Sequence, residues 1–126
     1  IMAFYEMKMT CGHKGKIFSA TDEMLYSTYE LGADGAISAI LTVFPQISVE
    51  MWRDAKQGNF KHALELQNQM YFVWKAIGGN QFPIRIKYAL SLLGRDPGYP
   101  RSPICHMPDS EKQAIREALQ HAGFIS

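Results

Sequence analysis

The sequence predicts an α/β fold in which parallel strands alternate with crossover helices. Between residues 16 and 45, two short apolar runs (17–18 and 36–41) flank an amphipathic segment at 22–31, and this alternation is typical of parallel sheets. From residue 45 onward, apolar residues recur at the three- and four-residue spacing of helices. Because two strands are too few to cover so many helices, we expect most of the sheet to come from sequence outside this chain.

The first half of the chain is predicted to run helix, strand, helix, strand. Phe4, Tyr5 and Met9 lie among polar residues in an N-terminal helix, and a turn at 11–15 leads to a strand at 16–19. Acidic residues at 22 and 23 favour the start of the next helix, and Gly32 favours its end. The second strand is predicted at 36–41.

The second half is predicted to contain four helices. The first follows Pro45 and stops at 57–59, the second covers 60–77, and the third begins at Pro83 and stops at Gly94. Four prolines make the segment 95–108 irregular. The last helix is predicted to be capped by Asp109 or Ser110 and closed by Gly123.

Composition limits the classes of function. The 126 residues are one domain or a piece of a larger one, and 47% hydrophobic residues are ample for a core. A net charge of +1 favours neither nucleic acid nor an acidic membrane as a partner. With no apolar run near ~20 residues and no signal peptide, we expect a cytoplasmic protein whose Cys11 and Cys105 are free thiols. A first residue Ile1 within an apparent helix leads us to expect a fragment.

Most motifs that would carry chemistry lack the required spacing. Cys11-x-His13 and Cys105-His106 match no structural zinc pattern, so core or surface residues are favoured over metal ligands. The glycine pairs fit no phosphate loop, and a G-x-S-x-G elbow is missing from the sequence. None of the eight lysines is predicted to be a Schiff-base nucleophile, since none lies at the exit of a strand.

Asp22 and Glu23 leave two interpretations open. As acids at a helix N-terminus they stabilise the positive end of the helix dipole. As carboxylates at the C-terminal end of a parallel strand, where ligands bind in such folds, they are candidates for contacts with substrate hydroxyls.

Five segments together resemble the dihydrodipicolinate synthase and N-acetylneuraminate lyase family, the pyruvate-dependent class I aldolases. The first two resemble the seventh and eighth barrel strands, the third the last barrel helix, and the others the helices after the barrel. In order, they are KIFSATDE, GADGAISAILTVFP, GNFKHALELQ, FPIRIKYALSLLG and RSPICHMPDSEKQAIREALQHAGFI.

The resemblance implies the C-terminal part of a (β/α)8 TIM barrel at residues 1–77 and an appended helical segment at 78–126. It implies a Schiff-base reaction that makes or breaks a C–C bond between pyruvate, or another 2-keto acid, and an aldehyde. No metal or organic cofactor is implied. The implied partners are the remainder of the barrel and further copies in a homodimer or homotetramer, and the catalytic lysine is expected upstream of Ile1.

By the same resemblance, four residues are expected to bind substrate. Ala20 matches a glycine that approaches substrate, Ile37 matches a residue whose backbone faces pyruvate, and Asp22 and Glu23 match an acidic pair that contacts sugar hydroxyls in the sialic-acid lyases. Ala20 replaces the family's usual glycine, Thr42 stands where many members have asparagine, and Ala39 stands where the sialic-acid lyases have a serine, so a sialic-acid assignment is weakened. Ala20 and Thr42 leave open a non-catalytic helical binding module, or a divergent member without aldolase activity.

Overall fold

The computed structural model describes residues 1–12, 14–104 and 106–126. Seven helices and two short strands follow one another in these residues, with a single 3₁₀ turn at Asp22–Met24 after the first strand. In chain order they are α1 Met2–Cys11, β1 Phe18–Ser19, α2 Leu25–Glu30, β2 Gly35–Ala36, α3 Ile40–Val43, α4 Pro45–Gln57, α5 Phe60–Ile77, α6 Phe82–Leu92 and α7 Asp109–His121.

The two strands pair in parallel, which confirms the predicted α/β alternation. Phe18 lies opposite Gly35 and Ser19 opposite Ala36. The ladder continues beyond both ends, because the Asp34 N–H donates to the Ile17 carbonyl and the Ile37 N–H donates to the Ser19 carbonyl, each at 2.8 Å.

The second strand was predicted at 36–41, and the prediction is wrong beyond Ala36, where β2 ends. Ile40 and Leu41 belong to α3 and not to a strand. The Ile40 N–H donates to the carboxylate of Asp22, a distant side chain, and this bond satisfies one of the amides that a helix N-terminus leaves without a partner. Apolar character alone could not distinguish a buried helical turn from a strand here.

The chain divides into two compact units, Ile1–Asn68 and Gln69–Ser126. Fully buried side chains form the core of each unit. They include Leu25, Ile40, Val43 and Met51 in the first unit, and Met70, Val73, Ile77, Ile115 and Leu119 in the second. The division falls inside α5, and the sequence-based boundary after residue 77 stays a prediction.

The helix ends follow the sequence signals with one exception. Gly58 ends α4 in the left-handed conformation, with a φ of 81°. At the start of α7, by contrast, the N-cap is Pro108 and no side chain caps the helix, so the predicted cap by Asp109 or Ser110 is wrong. Asp109 is instead the first helical residue and accepts a hydrogen bond from Lys112 at 2.7 Å.

A single arginine ties α6 to α7 in the second unit. Arg85 Nε and Nη2 donate to the two carboxylate oxygens of Glu111 at 3.0 and 2.9 Å. Its Nη1 donates to the Gly78 carbonyl at 2.7 Å. This bidentate geometry makes full use of a planar guanidinium.

Across the described part of the chain, no helix has both the length and the hydropathy that crossing a bilayer requires.

Candidate functional site

The four predicted site residues lie where the two strands end. Ala20 follows β1 and Ile37 follows β2, each one residue beyond the paired Ser19 and Ala36. Ile37 is 74% exposed, and Ala20 and Glu23 are also exposed. Asp22 is different, because only 8% of it reaches solvent.

One face of the strand pair is covered and the other is open. Ile17 and Ser19 point to the covered face and are 8% and 2% exposed, whereas Phe18 between them is 49% exposed. A Cβ at Gly35 would lie 2.9 Å from the Phe18 ring, so the ring covers Gly35 on the open face. The alternation of side chains along a strand places Ala20 on the same face as Phe18.

The Asp22 carboxylate joins the two strand ends. Its Oδ1 accepts hydrogen bonds from Ser38 Oγ and from the Ile40 N–H, both at 2.6 Å. The residues after β1 are thereby fixed to those after β2. The position of Asp22 at a strand end was predicted from the sequence, but its two donors were not, because they are 16 and 18 residues away.

A second buried side chain, Gln67 on α5, forms hydrogen bonds with the 3₁₀ turn and with the start of α2. Its Oε1 accepts the Tyr26 N–H at 2.9 Å, and its Nε2 donates to the Asp22 carbonyl at 3.4 Å. Gln67 is 6% exposed. In the sequence, this role is signalled locally only by a polar residue on the apolar stripe of a helix.

Asp34 joins the strands at their opposite, entry end. Its carboxylate accepts the Ile17 N–H at 2.9 Å and the Lys16 ammonium at 3.0 Å, with Lys8 Nζ 3.6 Å away. The Ile17 amide first, and then the lysines, lower the pKa of Asp34 to about 2. Lys16 is therefore paired at the far end from the predicted site.

Potential metal ligands converge elsewhere in the first unit. Among the described residues, one potential ligand atom from each of Glu50, Asp54 and His62 lies within 4.8 Å of the other two. Nδ1 of His62 lies 2.6 Å from Oδ2 of Asp54, and this hydrogen bond raises the pKa of His62. We interpret this cluster as a contact between α4 and α5. The Cys and His pairs considered in the sequence include His13 and Cys105, which lie outside the described residues.

Comparison with known proteins gives a consistent result. The profile of the dihydrodipicolinate synthetase family matches residues 1–122. The 4-hydroxy-tetrahydrodipicolinate synthase of Methanocaldococcus jannaschii is 33% identical over 115 residues, which are 90% of this chain and 40% of that protein. The chain thus spans about two fifths of the length of the curated relatives it matches.

Solved structures show the same likeness. A crystal structure of a dihydrodipicolinate synthase is 31% identical and superposes with a TM-score of 0.83, covering 98% of this chain and 42% of the other. The N-acetylneuraminate lyase of Fusobacterium nucleatum is 24% identical, with a TM-score of 0.81 over 99% of this chain and 42% of the lyase. At that identity, the second comparison shows a shared fold.

Proposed function

The chain belongs to the dihydrodipicolinate synthetase family, and on that basis we propose that it forms the C-terminal part of a pyruvate-dependent class I aldolase. In this proposal β1 and β2 are the last two strands of a (β/α)8 barrel, and the helices of the second unit follow the barrel. The reaction makes or breaks a C–C bond between pyruvate, or another 2-keto acid, and an aldehyde.

The observation that carries the proposal is the pair of strand ends held together by Asp22 beside an open sheet face. In parallel barrels the reactive groups lie at the C-terminal ends of the strands. Here those ends carry Ala20 and Ile37, which are exposed, and Glu23, which is exposed one residue after Asp22. Their positions support a pocket wall made of the three exposed residues, at strand ends that Asp22 holds together.

The open edge beside β2 supports the remainder of the barrel as the first partner. A cavity of about 450 Å³ lies next to β2 and is lined by Gly35, Ala36 and Trp52, among others. The indole N–H of Trp52 is buried with no hydrogen-bond partner in the described residues. A further strand beside β2 would fill this cavity and offer an acceptor, since buried N–H groups are normally paired.

The chemistry then divides between this chain and the rest of the barrel. A lysine outside the 126 residues condenses with the ketone, and the resulting iminium accepts the electron pair of the bond that breaks. Ala20 and the Ile37 backbone border the keto acid, while Asp22 and Glu23 lie on the side of the aldehyde hydroxyls. We propose a homodimer or homotetramer as the assembly.

Reductive trapping tests the proposal. The protein that carries this chain is incubated with pyruvate and borohydride, and its intact mass is measured under denaturing conditions. We expect a pyruvate adduct on a lysine outside residues 1–126, located by peptide mapping. Samples without pyruvate or without borohydride are the controls.

A protein that folds, binds no pyruvate and forms no adduct would contradict the proposal that it is a pyruvate-dependent aldolase. That result would favour the non-catalytic binding module.

A further inference from the structure

We infer that Asp22 is a positioning residue, which fixes the backbone from Ile37 to Ile40 instead of contacting the aldehyde. The inference rests on the proposed function, because it is there that the Ile37 backbone borders the keto acid. In this role Asp22 does not contact the aldehyde and supports the backbone of the whole site.

The geometry holds Ile37 from both sides. Its N–H donates to the Ser19 carbonyl at 2.8 Å, which ties it to β1. The next residue, Ser38, donates its hydroxyl to Asp22 Oδ1 at 2.6 Å. Two residues further, the Ile40 N–H donates to the same oxygen at 2.6 Å. The turn between β2 and α3 is thus fixed at three successive points.

A carboxylate is well suited to this task. A charged acceptor makes shorter and stronger hydrogen bonds than a neutral one. The Ile40 amide lies at the N-terminus of α3, where an acceptor satisfies an amide without a partner in the helix. One oxygen that serves a hydroxyl and an amide together aligns the strand end and the helix start.

Burial argues against direct contact with substrate. Asp22 is 8% exposed, and its Oδ1 already accepts two hydrogen bonds. Its own carbonyl accepts a bond from Gln67 at 3.4 Å, so the main chain of Asp22 is anchored to α5. Glu23, by contrast, is exposed at the same strand end and is the better placed acid for a substrate hydroxyl.

The two roles predict opposite dependence on the aldehyde. A contact with hydroxyl groups matters for a polyhydroxylated aldehyde and not for a short one. A support for the Ile37 backbone matters equally for both, since both react with the same keto acid at the same place. A misplacement of about 1 Å at a reacting centre costs up to about 100-fold in rate.

The test compares Asp22→Ala, Asp22→Asn and Ser38→Ala in the protein that carries this chain. Each variant is assayed with pyruvate and either a short or a polyhydroxylated aldehyde. We expect Asp22→Ala to lower kcat/KM about 10- to 100-fold with both aldehydes and to raise the KM for pyruvate. Asp22→Asn should recover most of this loss, because the amide oxygen still accepts both bonds. Ser38→Ala should lower kcat/KM less than Asp22→Ala does, and by the same factor with both aldehydes.

Two further variants calibrate the comparison. Glu65→Ala removes an acid from an exposed position on α5 and should leave both rates unchanged. Glu23→Gln should affect the polyhydroxylated aldehyde more than the short one. If Asp22→Ala does not fold, the ratio of the two rates in Asp22→Asn and Ser38→Ala decides the question.

Three outcomes would overturn the positioning role. They are a loss confined to the polyhydroxylated aldehyde, a folded Asp22→Ala variant with unchanged constants, or an Asp22→Asn variant as impaired as Asp22→Ala. Borohydride trapping of the unsubstituted protein separates this failure from a wider one. An adduct in that protein with any of these three outcomes rejects the role of Asp22 alone, whereas no adduct rejects the proposed function and the inference together.

Discussion

Single carboxylates at the two ends of the strand pair perform different tasks. Asp22 joins the exits of β1 and β2, and Asp34 joins their entries. The sequence located Asp22 because an acid shortly after an apolar run, at the start of a helix, is a local pattern. It could not reveal the contacts, since Ser38 and Gln67 lie 16 and 45 residues away along the chain.

We expect Asp34 to make the free energy of unfolding depend on pH in the acidic range. The pKa of Asp34 is lowered from 3.8 to about 2, chiefly by the Ile17 amide and the Lys16 ammonium. Because the folded pKa lies below the unfolded one, its contribution is fully present above the unfolded pKa and is lost as the pH falls through about 2. Asp34→Asn should therefore lower the urea midpoint at neutral pH, and the two proteins should converge on acidification.

Urea unfolding of both proteins, from about pH 6 down to about pH 2, measures this effect. A difference in midpoint that stays constant over the whole range would show that Asp34 contributes through packing and not through its charge.

At the scale of elements, the helices were more predictable than the strands. The spacing of apolar residues predicted α5 at 60–77, as observed. The end of β2 was wrong because a remote carboxylate starts α3 there. The cap of α7 was wrong because Asp109 bonds to Lys112 within the first turn instead of to a backbone amide. Both errors come from side-chain contacts, because the propensities of single residues do not take such contacts into account.

The contact between α6 and α7 yields a prediction at this scale. Arg85→Lys keeps the positive charge but cannot reproduce two bonds to Glu111 and one to the Gly78 carbonyl. We expect the free energy of unfolding to fall by about 1–2 kcal/mol, measured by chemical denaturation.

Lys112→Ala is the matched control in the same unit. It removes an ion pair with Asp109 that is largely exposed, and such pairs contribute about 0–1 kcal/mol. An Arg85→Lys variant with an unchanged free energy of unfolding would mean that the bidentate geometry of Arg85 adds nothing to its charge.

For the whole molecule, the pattern of residues alone indicated an α/β chain with too few strands. The family resemblance, now confirmed, supplied the barrel to which we propose that those strands belong. Periodicity could not supply it, because a barrel is closed by strands that are far apart in sequence. The role of each site residue stays a prediction for the same reason.

The substitution Phe18→Ala tests whether the open face of the strand pair is covered, as the proposed barrel requires. It is 49% exposed in this chain, and Phe72 on α5 is 48% exposed. If the remaining strands cover the sheet, Phe18→Ala should cost about 3–5 kcal/mol in the protein that carries this chain, as for a buried phenylalanine. Phe72→Ala should cost clearly less. Similar small losses for both, in chemical denaturation, would argue that the face stays open.

The bond from Asp22 to the turn after β2 has a consequence for how this site can change over evolutionary time. Asp22 and Gln67 are buried and Ser38 is half-buried, whereas Ala20, Glu23 and Ile37 are exposed. Mutations at the exposed positions therefore alter the lining without loosening its frame. Under the proposed function, a few such exchanges change the choice of aldehyde while Asp22, Ser38 and Gln67 keep the strand ends in place.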